Sequence, residues 1–255
     1  MKRIMLCSVI ENRTIAEDTL LMVLKADSMA LADFDPGVFV NVRIMDSDSP
    51  LLRRPISVHE TDVENGILKL IYKVVGEGTR KLSEKKQGDI VDIFGPLGTG
   101  FPIQSDAKSV VLIGGGVGIP PLYELGKRLA EKGVTVTTVL GARNAEGLFC
   151  LEEFGALGRV VTATEDGSHG VKGFVTDAIR EGKLEFDCLY ACGPKPMLKA
   201  LDLEFRGKKE GYLSFEERMA CGIGACYGCM TMTKDGLKRV CKDGPVFRLG
   251  EAVYD

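Results

Sequence analysis

The sequence predicts a β-barrel followed by an α/β unit, with a small cysteine-bearing module at its C-terminal end. Three observations carry that reading. Up to about Gly100 the apolar residues come in short β-branched or alternating runs bounded by Gly, Pro and Asp, the pattern of half-buried strands. From Ser109 to Ile113 the chain is almost continuously apolar and then enters Gly114-Gly115-Gly116-Val117-Gly118-Ile119-Pro120-Pro121, which reads as a buried parallel strand, a glycine turn and a helix start. Near the end, four of the 8 cysteines fall within the 21 residues from Cys221 to Cys241, where even scatter would place roughly 0.7.

A chain of 255 residues holds one large or two medium domains and a small appendage. With 45% hydrophobic and 27% charged residues and no Trp, the composition is that of an ordinary globular protein. The net charge of −3 and the lack of a long Lys/Arg run argue against a nucleic-acid surface, so phosphate ligands must be met locally. The start, MKRIMLCSVIENRT, is interrupted by Glu11 and Arg13 too early for a signal peptide. The apolar stretch from Val110 to Tyr123 is short and broken by glycines and two prolines, below membrane-spanning length. A soluble protein of the cytoplasm is expected, a reducing compartment in which thiolates bind metals rather than form a disulfide framework.

Within the first 100 residues the strand-like runs are Thr19 to Leu24, Val38 to Ile44, Gly66 to Val75 and Asp89 to Phe94. Their spacing predicts a closed antiparallel barrel. Two polar stretches exceed what a barrel needs. Arg53-Arg54-Pro55-Ile56-Ser57 sets a guanidinium and a hydroxyl at a strand start, and Arg can grip a pyrophosphate with paired N–H donors. Gly76-Glu77-Gly78-Thr79 opens a short polar helix running through Lys85, whose first N–H groups suit an anion. Either motif alone is as readily a surface turn or a plain helix start. Some twenty residues apart across one strand, the two reinforce each other.

The Gly/Pro-rich stretch from Gly95 to Pro102 reads as a linker. Beyond it, residues 101–210 keep a βα rhythm. A helix is expected over Leu122 to Lys132, strands over Val134 to Leu140 and Gly158 to Ala163, a helix over Thr176 to Glu181 and a strand over Phe186 to Ala191. Such alternation implies a doubly wound parallel sheet with a dinucleotide site. The glycine turn is not a strict G-x-G-x-x-G, and no ribose-binding acid stands at the expected strand end, so the residues leave NAD and NADP undecided. Cys192-Gly193-Pro194 follows the last strand, at the edge where ligands bind in such sheets; its cysteine either contacts a ring or merely ends a strand. The two histidines, His59 and His169, form no nucleophile–base pattern. Glu165-Asp166-Gly167 reads as a solvated loop, and no residue stands out as a catalytic base.

Residues 211–255 hold the cysteine block. Cys221, Cys226 and Cys229 follow C-x4-C-x2-C, and eleven residues separate Cys229 from Cys241. The first three have the spacing of plant-type [2Fe–2S] sites. Gly222, Gly224, Ala225 and Gly228 let backbone N–H groups approach sulfur. A zinc site also takes four thiolates, although the paired C-x2-C repeats usual there are missing; a disulfide pair is the remaining alternative. Plant-type ferredoxins have a longer last gap, so Cys241 is the ligand that spacing supports least. Cys7, Cys150, Cys188 and Cys192 lie outside the block and read as small buried hydrophobes.

In this order, R-P-x-S and G-x-G-T in a barrel, G-G-G-x-G-x-x-P and C-G-P in an α/β unit and a terminal cysteine loop resemble the ferredoxin-reductase superfamily. Within it, ERMACGIGACYGC from Glu217 to Cys229 and RVCKDGPVF from Arg239 to Phe247 are similar to the electron-transfer subunits of two-subunit, NAD-dependent dihydroorotate dehydrogenases. The resemblance covers essentially the whole chain, and the cysteine block is its specific part. It implies that Arg54, Pro55, Ile56, Ser57, Ile71, Tyr72 and Lys73 line FAD, with Gly78 and Thr79 on its phosphates. Arg53 is an equally placed guanidinium, and Ile56 stands where many members carry an aromatic ring. Gly115, Gly116 and Gly118 are implied to face NAD, Cys192 and Gly193 to approach the nicotinamide, and Cys221, Cys226, Cys229 and Cys241 to ligate a [2Fe–2S] cluster. The implied partner is an FMN-containing dihydroorotate dehydrogenase catalytic subunit, two of each chain, acting in pyrimidine biosynthesis and meeting the loop from Gly222 to Tyr227. Two rival readings remain: a subunit of another flavin/iron–sulfur NAD(P)H oxidoreductase, and a zinc-stabilised module that binds a nucleotide without redox turnover.

Overall fold

Six strands close the N-terminal barrel: β1 (Arg3–Ala16), β2 (Thr19–Lys25), β3 (Phe39–Arg43), β4 (Arg54–Asp62), β5 (Ile67–Lys73) and β6 (Ile90–Leu97). The structure is a computed structural model and describes residues 1–44, 51–104 and 106–254. The barrel order is β1-β2-β5-β4-β3-β6, with β6 returning antiparallel to β1. Alternation decides which side chains fill it: Met5, Cys7 and Val9 point inward, while Ile4 and Leu6, which alternate with them, stay exposed. Two strands escape a reading of apolar alternation. The second half of β1 is polar and broken by bulges, and β4 carries a bulge between Val58 and Glu60 that shifts its period. A single turn, α1 (Ser28–Leu31), follows β2. The helix α2 (Glu77–Ser83) drops Leu82 into the barrel core and ends at Glu84, just short of the Lys85 expected from sequence.

The α/β unit runs β7 (Ser109–Gly115), α3 (Tyr123–Glu131), β8 (Thr135–Ala142), α4 (Leu151–Gly155), β9 (Arg159–Thr164), β10 (Val171–Lys172), α5 (Val175–Glu181), β11 (Cys188–Cys192), α6 (Lys195–Phe205) and β12 (Glu210–Ser214). Its strands are parallel. Val110 to Ile113 are all buried, with Val111 and Ile113 in one core and Val110 and Leu112 in another. The sheet is thus covered on both faces, which is why β7 reads as an unbroken apolar run. The sequence reading passed over α6, whose Pro196 is tolerated because a first-turn N–H has no intrahelical partner.

The last segment adds a hairpin, β13 (Met230–Thr233) and β14 (Gly236–Arg239), then α7 (Val240–Asp243) and β15 (Val246–Arg248). It is not free-standing. β15 pairs antiparallel with β12 and completes a seven-stranded sheet of order β10-β9-β8-β7-β11-β12-β15. Thr99 N–H also donates to the Gly244 carbonyl at 2.6 Å, and Phe215 N–H to that of Pro245 at 2.9 Å. The sheet reaches Ser214, four residues beyond position 210, where the sequence suggested a boundary.

Barrel and sheet are tied by half-buried and buried polar contacts. Glu60 bridges Lys69 at 2.6 Å and Lys127 at 3.0 Å. Thr61 N–H donates to Glu124 at 3.2 Å, and Arg128 donates to the Phe34 carbonyl at 2.8 Å. His59, 3% exposed, lies 3.2 Å from the Pro120 carbonyl through Nδ1 and stacks on Tyr123 at 4.8 Å. A carbonyl only accepts, so Nδ1 carries the proton.

Candidate functional site

The two polar motifs of the barrel meet in space. Arg54 at the start of β4 folds over Gly78 in the first turn of α2, where any Cβ would run into the guanidinium. Its one hydrogen bond among the described residues goes to the Leu52 carbonyl. Arg53 is engaged elsewhere: it holds Asp92 through both terminal nitrogens at 2.8 and 3.0 Å and also donates to the Asn41 carbonyl at 3.3 Å. The cradle available to a pyrophosphate is therefore built on Arg54. The Thr79 hydroxyl is occupied locally, accepting from Val75 N–H at 3.0 Å and Gly76 N–H at 3.3 Å, so Thr79 has only its main chain to offer a ligand. Ile56 and Tyr72 turn into the barrel core, where Tyr72 donates to Asn12 at 3.0 Å and burial pushes its phenol up to about 12. Only their backbone is left to border a ligand on the outside of the barrel. Ile71 points outward against the α/β unit, Pro55 is exposed, and Ser57 and Lys73 are half-buried.

The glycine turn and the C-G-P corner are also neighbours. Gly114 pairs with Cys192 across β7 and β11, and the chain leaves β7 toward β8 on one side and returns to β11 on the other. The crevice beyond these two strand ends is the topological switch point, where dinucleotides bind in such sheets. A Cβ at Gly118 would collide with the Cys192 carbonyl, and one at Gly115 would lie 2.8 Å from the Met197 sulfur. Gly116, at φ +55, has open space on that side, which leaves the backbone accessible to a phosphate. Gly193, at φ +158, stands beside Gly115. The Cys192 side chain is 1% exposed and turned into the core, and burial holds its thiol well above the usual range. Only its main chain borders the crevice. Met197, which sequence reading did not single out, packs beneath both glycines.

The cysteine loop is shaped to hold sulfur. Gly222 and Gly224 take φ +70 and +82, a left-handed geometry that turns successive N–H groups inward. Ile223 and Ala225 N–H point at the Cys221 sulfur at 3.5 and 3.3 Å, Gly224 N–H at that of Cys241 at 3.1 Å, and Cys241 N–H at that of Cys229 at 3.4 Å. Burial pushes the Cys221 thiol up, but hydrogen bonds from Ile223, Cys226 and Ala225 outweigh it and bring the thiol down to about 6. Burial and the neighbouring Cys229 push Cys241 up to about 12. The main chain of Cys241 thus sits against the Cys229 sulfur while the Cys221 sulfur has its own N–H donors, and all eight cysteines are free of disulfides. Among the described residues no three His, Cys, Asp or Glu converge on a single-ion position. A two-iron cluster takes its protein ligands as a pair on each iron, so these residues fit it better than one tetrahedral zinc. Arg239 braces the loop, donating to the Gly224 carbonyl at 3.2 Å and lying 5.3 Å over the Tyr227 ring. Asn41 of β3, also unread in the sequence, donates to the Cys221 carbonyl at 3.4 Å.

Comparison with known proteins agrees with this geometry. Three family models match in succession: an oxidoreductase FAD-binding domain over residues 6–101, an oxidoreductase NAD-binding domain over 112–202, and the iron–sulfur cluster binding domain of dihydroorotate dehydrogenase B over 216–253. The chain is 48% identical over 251 residues to the dihydroorotate dehydrogenase B (NAD(+)) electron transfer subunit of Geobacillus thermodenitrificans (strain NG80-2), covering 96% of this chain and 97% of that protein. The subunit of the same name from Bacillus mycoides (strain KBAB4) is 44% identical, with 96% of each covered. Among solved structures, a chain of the NADH-dependent reduced ferredoxin-NADP oxidoreductase superposes with a TM-score of 0.87 at 36% identity, covering 98% of this chain and 90% of that one. The ferredoxin reductase in carbazole 1,9a-dioxygenase, at 22% identity, shares the fold with a TM-score of 0.69 over 81% of this chain and 66% of that one. No described helix is long and apolar enough to cross a membrane. With FAD-binding, NAD-binding and iron–sulfur-binding domains in one continuous match, the chain belongs to the family of dihydroorotate dehydrogenase B (NAD(+)) electron transfer subunits.

Proposed function

We propose that this chain carries electrons between NAD and a catalytic partner subunit that holds FMN and oxidises dihydroorotate to orotate, a step of pyrimidine biosynthesis, in a cytoplasmic heterotetramer with two of each chain. One observation supports the reading. Cys229 and Cys241 share a single core with Phe39 and Leu97 of the barrel and with Ile113 and Ala191 of the sheet, so the cysteine loop is packed directly on both units. Bound FAD supplies the exchange between the two-electron hydride chemistry of NAD and the one-electron chemistry of an iron–sulfur cluster.

The chain's residues do the holding. Arg54, with the main chain at Gly78 and Thr79, takes the pyrophosphate. Pro55, Ser57, Ile71 and Lys73 and the main chain of Ile56 and Tyr72 line the flavin. Gly115, Gly116 and Gly118 admit NAD to the backbone at the end of β7, with Gly193 and the Cys192 main chain beside its nicotinamide. Cys221, Cys226, Cys229 and Cys241 hold the cluster. Functional segments 1–100, 101–210 and 211–255 follow from that division. Exposed Ile223, Cys226 and Tyr227 form the face toward the partner.

Anaerobic purification with the co-expressed partner should yield a complex with both flavin and iron–sulfur absorption bands. A colourless zinc-bearing chain would overturn the proposal. Cys226→Ser should abolish electron transfer from dihydroorotate to NAD⁺ while NADH still reduces the flavin of this chain. Loss of both reactions in a variant that retains its flavin would contradict the assigned order.

A further inference from the structure

Asn41 lies on the outward face of β3, 1% exposed, at the seam between barrel and cysteine loop. Its cross-strand neighbours are Pro55 of the flavin motif on β4 and Phe94 on β6. Phe39, two residues earlier on the same face, packs in the core that contains Cys229 and Cys241. The main chain of Asn41 is pinned by Arg53, which is itself clamped to Asp92. Its side-chain Nδ2 donates to the Cys221 carbonyl at 3.4 Å. Reversing the amide would set two oxygens against each other, so this orientation is the only sensible one. Oδ1 is buried and has no partner among the described residues. Gly222 sits directly on the amide: a Cβ there would strike Nδ2 and stand 3.2 Å from Leu97 Cδ1.

Such an amide is an expensive choice. An unpaired buried acceptor has given up its hydrogen bonds to water for nothing, a penalty that a leucine of similar volume would avoid. What the amide touches is the peptide that leads into the loop. We propose that Asn41 is a positioning residue for the iron–sulfur site: it holds the Cys221–Gly222 peptide against β3, the strand beside the flavin motif, and so aims the N–H donors that face the Cys221 sulfur and set the cluster's reduction potential. The chain of contacts is short. Fixing the Cys221 carbonyl fixes the left-handed turn at Gly222, and that turn delivers the Ile223 and Ala225 N–H groups to sulfur. Donors to cluster sulfurs favour the more negative, reduced state and raise the potential. The inference rests on the electron-transfer reading above.

The test uses the full chain purified with its catalytic partner, with the cluster potential followed by EPR-monitored titration. Asn41→Leu should lower the potential by about 59 mV, a tenfold change for one electron, and alter the g-values. Flavin content should hold, and the melting temperature should stay level or rise as the unpaired oxygen is removed. Asn41→Asp keeps the shape but trades the amide donor for a carboxyl group, so at a pH where that group is ionised the potential should fall further. If the wild type shows the cluster signal and the variants keep its potential and spectrum, the inference is overturned. Should the leucine variant fail to assemble, the aspartate variant decides on the same criterion. A wild type without a cluster signal would instead overturn the electron-transfer reading itself.

Discussion

Arg53 and Arg54 are adjacent and chemically identical, yet only Arg53 is committed to a carboxylate among the described residues. Arg53 is 21% exposed at its side chain and locked to Asp92, which is 8% exposed; Arg54 is pressed over Gly78 with its outer donors uncommitted to any carboxylate among the described residues. Arg54→Ala should therefore cut flavin retention at least tenfold while leaving urea stability of the flavin-free chain nearly level. Arg53→Ala should cost about 2 kcal/mol by stranding Asp92, and the flavin-to-protein absorbance ratio separates the two variants. The sequence showed both guanidiniums but not which one is paired, because the pairing carboxylate lies 39 residues away on another strand. Ile56, Tyr72 and Cys192 teach the same lesson. Their identities and positions were legible, but which face of its strand each turns inward is decided by tertiary packing: Ile56 and Tyr72 fill the barrel core and Cys192 a core of the sheet.

At the scale of elements, β7 and β11 were readable because burial on both faces makes them almost wholly apolar, and α3 because Leu125 and Leu129 fall at helical spacing on its buried side. β1, β4 and β12 were not, since polar residues or bulges break their pattern, and β13 to β15 are too short to show a period. The glycine turn after β7 shows what the sequence meant by repeating one residue. Gly118 is small because the backbone of Cys192 passes against it, whereas Gly116 is small because its φ is positive. Gly116→Ala should cost only about 1–2 kcal/mol of backbone strain. Gly118→Ala pushes on main chain that cannot step aside, so it should lower the melting temperature more and raise the KM for NADH about tenfold. Equal effects of the two substitutions would contradict this account.

At the scale of the molecule, the barrel and sheet meet over His59, a residue that looked incidental in the sequence because its burial is wholly tertiary. Burial pushes its imidazole down to about 4, against about 6.5 in an unfolded chain. As pH falls, the unfolded state takes the proton first. The interface therefore contributes fully above about pH 6.5 and loses about 3 kcal/mol as pH falls to 4. His59→Phe keeps the stack on Tyr123, so its melting temperature should fall less steeply than the wild type's across that window; parallel acid limbs would refute the assignment. The two rims of the sheet carry a different consequence. One ends in the two-residue β10, the other in the three-residue β15, which runs against its neighbours and carries Arg248 paired to Glu210 at 2.5 Å. Short, charged borders give another chain almost nothing to zip onto. The sheet is thereby protected from ribbon-like aggregation, and any ordered assembly must be built from other surfaces of the molecule.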